Sequence, residues 1–174
     1  LIWIYVIVEG DNISALDVQS TTALTLNGGA ITDIAGNNAV LTLPEPGSAN
    51  SLSANTDFVI DTSAPTMTIT AANGSGTAIA SGSTTNDQTL ILTFTASEPT
   101  ANFIVDDVTI VGGTLSDFTA SSSTVYTATL TPSNNSVTAV NVADNKFTDT
   151  AGNNNTASNQ FTWSRDNIAP SMTI

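Results

Sequence analysis

Hydrophobic residues in this chain come in short β-rich runs broken by polar turn residues, and no segment sustains the apolar period of a helix. Between residues 64 and 168 the runs predict seven strands, at 66–71, 89–96, 103–111, 114–119, 124–131, 136–142 and 159–165. The breaks between them are Asn73-Gly74-Ser75-Gly76, Ser97-Glu98-Pro99, Gly112-Gly113, Pro132-Ser133-Asn134-Asn135 and the loop from Asp149 to Asn155, all rich in turn formers. Seven short strands in about 100 residues predict an all-β fold, an immunoglobulin-like sandwich of two antiparallel sheets packed face to face. The antibody-type cysteine pair is absent, and Trp163 falls in the last predicted strand, not the third. A β-solenoid would need a short regular strand period, which the chain does not have. The opening run Leu1 to Val8 is apolar but too short to span a bilayer and has no basic segment before it, so it reads as a strand.

The chain repeats itself. Ala64-Pro65-Thr66-Met67-Thr68-Ile69 returns as Ala169-Pro170-Ser171-Met172-Thr173-Ile174, with an Asp three residues ahead of each copy, Asp61 and Asp166. Thr32-Asp33-Ile34-Ala35-Gly36-Asn37-Asn38 returns as Thr148-Asp149-Thr150-Ala151-Gly152-Asn153-Asn154. The two offsets differ, so related units carry loops of unequal length. The division that follows is a repeat over 1–63 lacking its front, a complete repeat over 64–168, and the start of a third over 169–174. With no initiator Met, the chain reads as an internal piece of something longer.

Composition narrows the chemistry. Of the 174 residues, 15 are acidic and two are basic, Lys146 and Arg165, for a formal net charge of −13. Nucleic acid binding needs several Lys or Arg to neutralise phosphates, and an anionic membrane would repel this chain. No partner of either kind is expected, nor any membrane insertion. There is no Cys and no His. Disulfides, thiolates, imidazole bases and the usual zinc and copper ligands are thereby excluded, leaving metals that accept oxygen. Serine nucleophiles lack an activating His or a suitably placed Lys, and Lys146 lies in an acidic loop suited to a solvated charge rather than an isopeptide bond. Glu98 with Asp149 could be imagined as a glycosidase pair, but such sites need an aromatic-lined cleft and only 6% of the chain is aromatic. The chain is not expected to be an enzyme.

Four segments in order resemble the bacterial Ig-like repeats of large surface adhesins: Leu92-Thr93-Phe94-Thr95-Ala96-Ser97-Glu98-Pro99, Val105-Asp106-Asp107-Val108-Thr109, Phe147-Thr148-Asp149-Thr150-Ala151-Gly152-Asn153 and Asp166-Asn167-Ile168-Ala169-Pro170. The resemblance covers 64–170 and reaches the incomplete unit through Asp33 to Asn37 and Asp57 to Pro65. It implies a secreted or cell-surface spacer repeated many times, often rigidified by calcium between neighbours. It implies no particular adhesive target.

Topology alone also suggests a site. In a sandwich whose first strand starts beside the preceding linker, strands two and six return to the same pole. The loops that follow them hold Glu98, Asp106, Asp107, Asp149 and Asn153, and the linker holds Asp61. Converging carboxylates repel unless a cation joins them, and Ca²⁺ takes 6 to 8 oxygen ligands. The expected metal ligands are Asp61, Glu98, Asp107, Asp149 and Asn153, with Asp166 serving the next junction. Asp107 is preferred to Asp106 because neighbours on a strand face opposite sides. The competing reading is a set of turn formers: Asp and Asn that bond their own backbone, with Gly152 supplying a positive φ. Glu9, Asp11, Asp17 and Asp33 occupy corresponding loops of the incomplete repeat, where the site would be partial. The functional expectation is a non-catalytic spacer whose partners are neighbouring repeats. The alternatives are a module binding a cell-surface glycan or protein, and a decoration domain of a virion or a secreted hydrolase.

Overall fold

The computed structural model describes residues 4–133 and 136–173. The chain forms two compact units, Leu1–Ser63 and Ala64–Ile174. The second holds nine strands among the described residues: β1 (Met67–Ala72), β2 (Ala78–Ile79), β3 (Ser83–Thr85), β4 (Leu90–Ala96), β5 (Val108–Val111), β6 (Gly113–Ala120), β7 (Val125–Pro132), β8 (Val137–Val142) and β9 (Phe161–Arg165). They form two sheets, β2-β1-β4-β7-β6 and β3-β9-β8-β5. This is the expected Ig-like sandwich, with one pair, β3 with β9, running parallel rather than antiparallel.

Alternation explains why the sheets close on each other. Along β1 and β4 every second residue is buried: Met67, Ile69 and Ala71 on one, Leu90, Leu92, Phe94 and Ala96 on the other. Tyr126, Ala128 and Leu130 of β7 join them, and the facing sheet contributes Val140, Val142, Phe161 and Trp163. Each large side chain removed from water in this way contributes about 1.5–3 kcal/mol. Thr residues line the outer face of the first sheet, where the register sets Thr70 beside Thr93 and Thr93 beside Thr127. Such cross-strand pairs add a few tenths of a kcal/mol to about 1 each.

Two departures from the sequence reading have local causes. Strands β2 and β3 span two and three residues, too short to show an apolar pattern. The expected strand 103–111 begins instead with a single 3₁₀ turn, Val105–Asp107, and becomes a strand only at Val108. Asp107 causes the turn, because its Oδ2 accepts from the Ile104 N–H at 2.9 Å and so competes with sheet pairing. The expected turn at 132–135 lies partly outside the described residues, as does Ile174.

The first unit has little regular structure. Isolated bridges join Ile13 to Ile60 and Thr32 to Asn38, and one helical turn spans Leu52–Asn55. Asp17 organises this unit: its carboxylate accepts from Ser53 Oγ (2.5 Å), Gly47 N (2.9 Å) and Val18 N (2.8 Å). Those donors, the Ser53 hydroxyl first, hold its carboxyl below the ordinary range. Residues 4–8 of the apolar opening run lie in no strand, with Ile4 and Val6 more than two-thirds exposed; Leu1 to Trp3 fall outside the described residues. A β-prone run becomes a strand only where a neighbouring backbone pairs with it, and among the described residues none pairs with 4–8.

Candidate functional site

In the second unit the loop after β4 (97–102) and the long segment after β8 (143–160) are stitched together. Ala101 N donates to Thr148 O (2.9 Å), Thr148 N donates to Asn102 Oδ1 (2.8 Å), and Thr100 bridges Asp149. An aromatic cluster lies beneath them. Phe103, just past the first loop, meets Tyr126 (centroids 5.0 Å apart) and Phe147 (5.1 Å) edge to face. Tyr126 OH and Thr100 Oγ1 are 2.6 Å apart, tying the loop to that base. Edge-to-face aromatic pairs add about 0.5–1.5 kcal/mol each beyond burial, so the loops stand on a firm platform.

Asp149 is 1% exposed and sits where the two loops meet. Its Oδ1 accepts from the N–H groups of Ala151 (2.8 Å), Gly152 (2.7 Å) and Asn153 (2.9 Å), and its Oδ2 accepts from Asn153 Nδ2 (2.8 Å). Gly152 turns the chain at φ +96°, a conformation other residues rarely adopt. Burial alone would raise the Asp149 pKa. The donors from Asn153, Gly152 and Ala151 outweigh it, and the carboxyl is held below the ordinary range. The turn-forming role weighed against ligation is therefore real: three of these donors fall on Oδ1 and one on Oδ2.

Glu98 is half-buried and brings a carboxylate oxygen within 4.8 Å of one on Asp149. Its neighbour Ser97 fixes where the chain enters the unit: Thr66 N donates to Ser97 Oγ (2.9 Å) and Ser97 N donates to Thr66 O (3.0 Å). Asn153 serves as the donor to Asp149 already described. Asp107 is bound to its own 3₁₀ turn, and neither it nor Asp166 joins the Glu98–Asp149 pair. Asp166 lies at the other end of β9, with Oδ1 accepting from Ile168 N at 2.9 Å. Asp61, in the last residues of the first unit, makes the same turn onto Ser63 N at 2.9 Å. In the first unit, Asp11 accepts from Tyr5 OH and Val8 N, and Asp33 repeats the Asp149 loop on an exposed surface.

Sequence reading missed Asn155, which is 2% exposed. Its Oδ1 accepts from Lys146 N (2.7 Å) and Phe147 N (2.9 Å), and its Nδ2 donates to Ala143 O and Thr156 O, both at 2.8 Å. This one side chain closes four backbone groups of the long segment and so holds Asp149 in place. In the run Asn153-Asn154-Asn155 nothing marked it out.

Two packed sheets with paired loops at one end define an Ig-like β-sandwich module. The bacterial Ig-like domain family matches residues 61–164, more than half of the chain, and the chain belongs to that family. Neither the curated proteins nor the solved structures yield a match. No helix among the described residues is long and apolar enough to cross a membrane.

Proposed function

We propose that this chain is a stretch of a non-catalytic spacer on a secreted or cell-surface bacterial adhesin, built from tandem Ig-like repeats and stiffened by calcium where repeats adjoin. The observation that carries the reading is the close approach of Glu98 and Asp149. Two ligands of one Ca²⁺ ion, each at 2.3–2.6 Å, can lie up to about 5 Å apart, and the 4.8 Å limit on this pair satisfies that. Hard oxygen donors without His or Cys suit calcium and not zinc.

Asp61 supplies the third carboxylate in this proposal, by covalent reach. The entry of the chain at Thr66 is pinned beside Glu98 through Ser97, and Thr156 N holds Pro65 O at 3.0 Å. Asp61 is four residues before Pro65, within about 14 Å of extended chain. Backbone carbonyls, side-chain amides and water would complete the shell. Asp107 and Asp166 have other local duties; Asp166 would serve a following repeat. The repeated segments support a spacer over a recognition module, as does the commitment of the second unit's Phe and Trp rings to its core, where they cannot stack on a sugar.

The test is thermal melting of the whole chain with calcium, with magnesium and with chelator, alongside solution scattering of interdomain geometry. Extracellular calcium modules bind at about 10⁻⁴–10⁻³ M, and a ligand at 100 times its dissociation constant adds about 2.7 kcal/mol. Calcium should raise the melting temperature by roughly 10 °C, magnesium much less, and the gain should vanish in Glu98→Gln and Asp61→Ala. Identical melting and scattering in calcium and chelator would remove calcium from the account.

A further inference from the structure

Asn-Gly occurs twice in the chain, at Asn27-Gly28 in the first unit and at Asn73-Gly74 in the second. The pair is chemically special because Gly has no Cβ, so its nitrogen can reach the side-chain carbon of the asparagine before it. The fold sets the two sites apart. Asn27 and Gly28 are exposed at the centre of a tight turn, with φ +46° and +87°, the left-handed pair that Asn-Gly favours. One bond closes that turn, from Gly29 N to Leu26 O at 2.8 Å. Neither the Asn27 side chain nor the Gly28 N–H has a hydrogen-bond partner among the described residues. Asn73 is held far more firmly. Its Oδ1 accepts from Ser75 N (3.2 Å), Ser75 Oγ (2.8 Å) and Thr77 N (2.9 Å), while its own N–H donates to Thr77 O and its carbonyl accepts from Gly76 N, both at 2.9 Å. This is the bonding of the Asp33 and Asp149 loops with an amide in place of the acid.

We infer that Asn27 is a self-modifying site, converted without any enzyme to aspartate and isoaspartate, while Asn73 is protected by its loop. The Gly28 nitrogen, losing its proton to hydroxide, attacks Cγ of Asn27; a C–N bond forms, the Cγ–Nδ2 bond breaks, and Nδ2 leaves as ammonia. Water then opens the resulting five-membered imide at either carbonyl, giving aspartate or, with the backbone rerouted through the side chain, isoaspartate. One water is consumed, one ammonia is released, and nothing is oxidised or reduced. The turn must open for the nitrogen to swing onto Cγ, and exposed turns of this kind open at little cost. Leaving the left-handed region also favours Asn27 itself, since a residue with a Cβ is disfavoured there. At Asn73 the same swing must break the three bonds on Oδ1. A tenfold slower reaction corresponds to about 1.4 kcal/mol, which one or two of those bonds supply. Conversion adds a negative charge to the surface of the first unit and leaves the second as it was.

The full chain is held at mildly alkaline pH, folded in buffer and unfolded in guanidinium chloride, and sampled over days. Peptide mass spectrometry follows amide-to-acid conversion at each asparagine, and an isoaspartate methyltransferase assay reports the rerouted backbone. In the folded chain Asn27 should convert more than about tenfold faster than Asn73. In denaturant, where only the shared Asn-Gly pair remains, the two rates should draw together. Asn27→Gln, whose longer side chain forms no five-membered ring, should remove most of the isoaspartate from the folded chain. Comparable folded rates at Asn27 and Asn73 would overturn the inference: both fast would mean that the Asn73 loop gives no protection, and both slow that the turn at 26–29 blocks the attack. A folded difference that persisted in denaturant would show that sequence and not structure sets it, and would overturn the inference as well.

Discussion

The same five-residue loop occurs twice in this chain in different surroundings, which allows its energetics to be isolated. Asp33 and Asp149 each accept hydrogen bonds from the residues two and four ahead, and each receives the side-chain amide of the Asn four ahead at 2.8 Å. Asp149 is buried against the loop after β4, whereas Asp33 is exposed. Replacing Asp149 by Ala removes the acceptor for four donors. A hydrogen bond to a charged group contributes about 1.5–3 kcal/mol, but water can take over the N–H of the exposed Ala151 and Gly152. The two bonds from the half-buried Asn153 are the ones lost without replacement, and the expected cost is about 3 kcal/mol. Asp33→Ala leaves donors that water reaches, so its cost should stay near the ±0.5 kcal/mol of ordinary surface changes.

Urea unfolding in chelator measures this without interference from a cation. Trp163 is fully buried in the second unit, so its fluorescence in a Trp3→Phe background follows that unit alone. With a urea slope of about 1–3 kcal/mol/M, a 3 kcal/mol loss moves the midpoint down by roughly 1–3 M. Asp33→Ala should leave this midpoint within about 0.3 M, and a circular-dichroism trace of the first unit should move little. Equal effects of the two substitutions, or an Asp149→Ala midpoint within about 0.3 M of the parent, would refute the claim that burial gives the loop its energetic weight.

Three further outcomes follow from the same geometry. The Asp149 pKa is depressed in the folded state, so the unfolded chain binds the proton first: stability is full above the ordinary carboxylate pKa near 4, falls as pH drops through the folded value, and loses part of that slope in Asp149→Asn, as read from urea midpoints between pH 5 and 2. Asn155→Ala should cost about 3–5 kcal/mol by the same fluorescence assay, because four backbone groups around a side chain 2% exposed lose their partner at once. Gly112→Ala should be far worse than Gly152→Ala: both have positive φ, but an added Cβ at Gly112 meets Val137 O at 2.3 Å, whereas at Gly152 it meets nothing within 4 Å. Expression yield and midpoint should therefore collapse for the first, while the second loses about 1–2 kcal/mol.

What could be read from residues alone tracks how locally each feature is determined. The long strands were legible because a half-buried β-run needs only its own sequence to declare itself, and β1, β4 and β7 fall within a residue or two of where the pattern put them. The approach of Glu98 to Asp149 was legible for a topological reason: a sandwich with that many strands must return the second and sixth long runs to one end. Side-chain duties set by surrounding backbone were not legible. Asp107 looks like a strand residue until Ile104 N claims it. Asn155 looks like a loop residue until four backbone groups turn toward it. The twin loops set the limit most sharply. Thr32 to Asn38 and Thr148 to Asn154 are nearly the same string, and they fold alike down to the bonds on the aspartate. Yet of the two only Asp149 is buried, because among the described residues only the second unit brings a loop, 97–102, to cover it. Motif fixes the local fold of such a loop, and the strands around it decide whether its carboxylate becomes a buried, pre-oriented oxygen donor or stays a solvated turn.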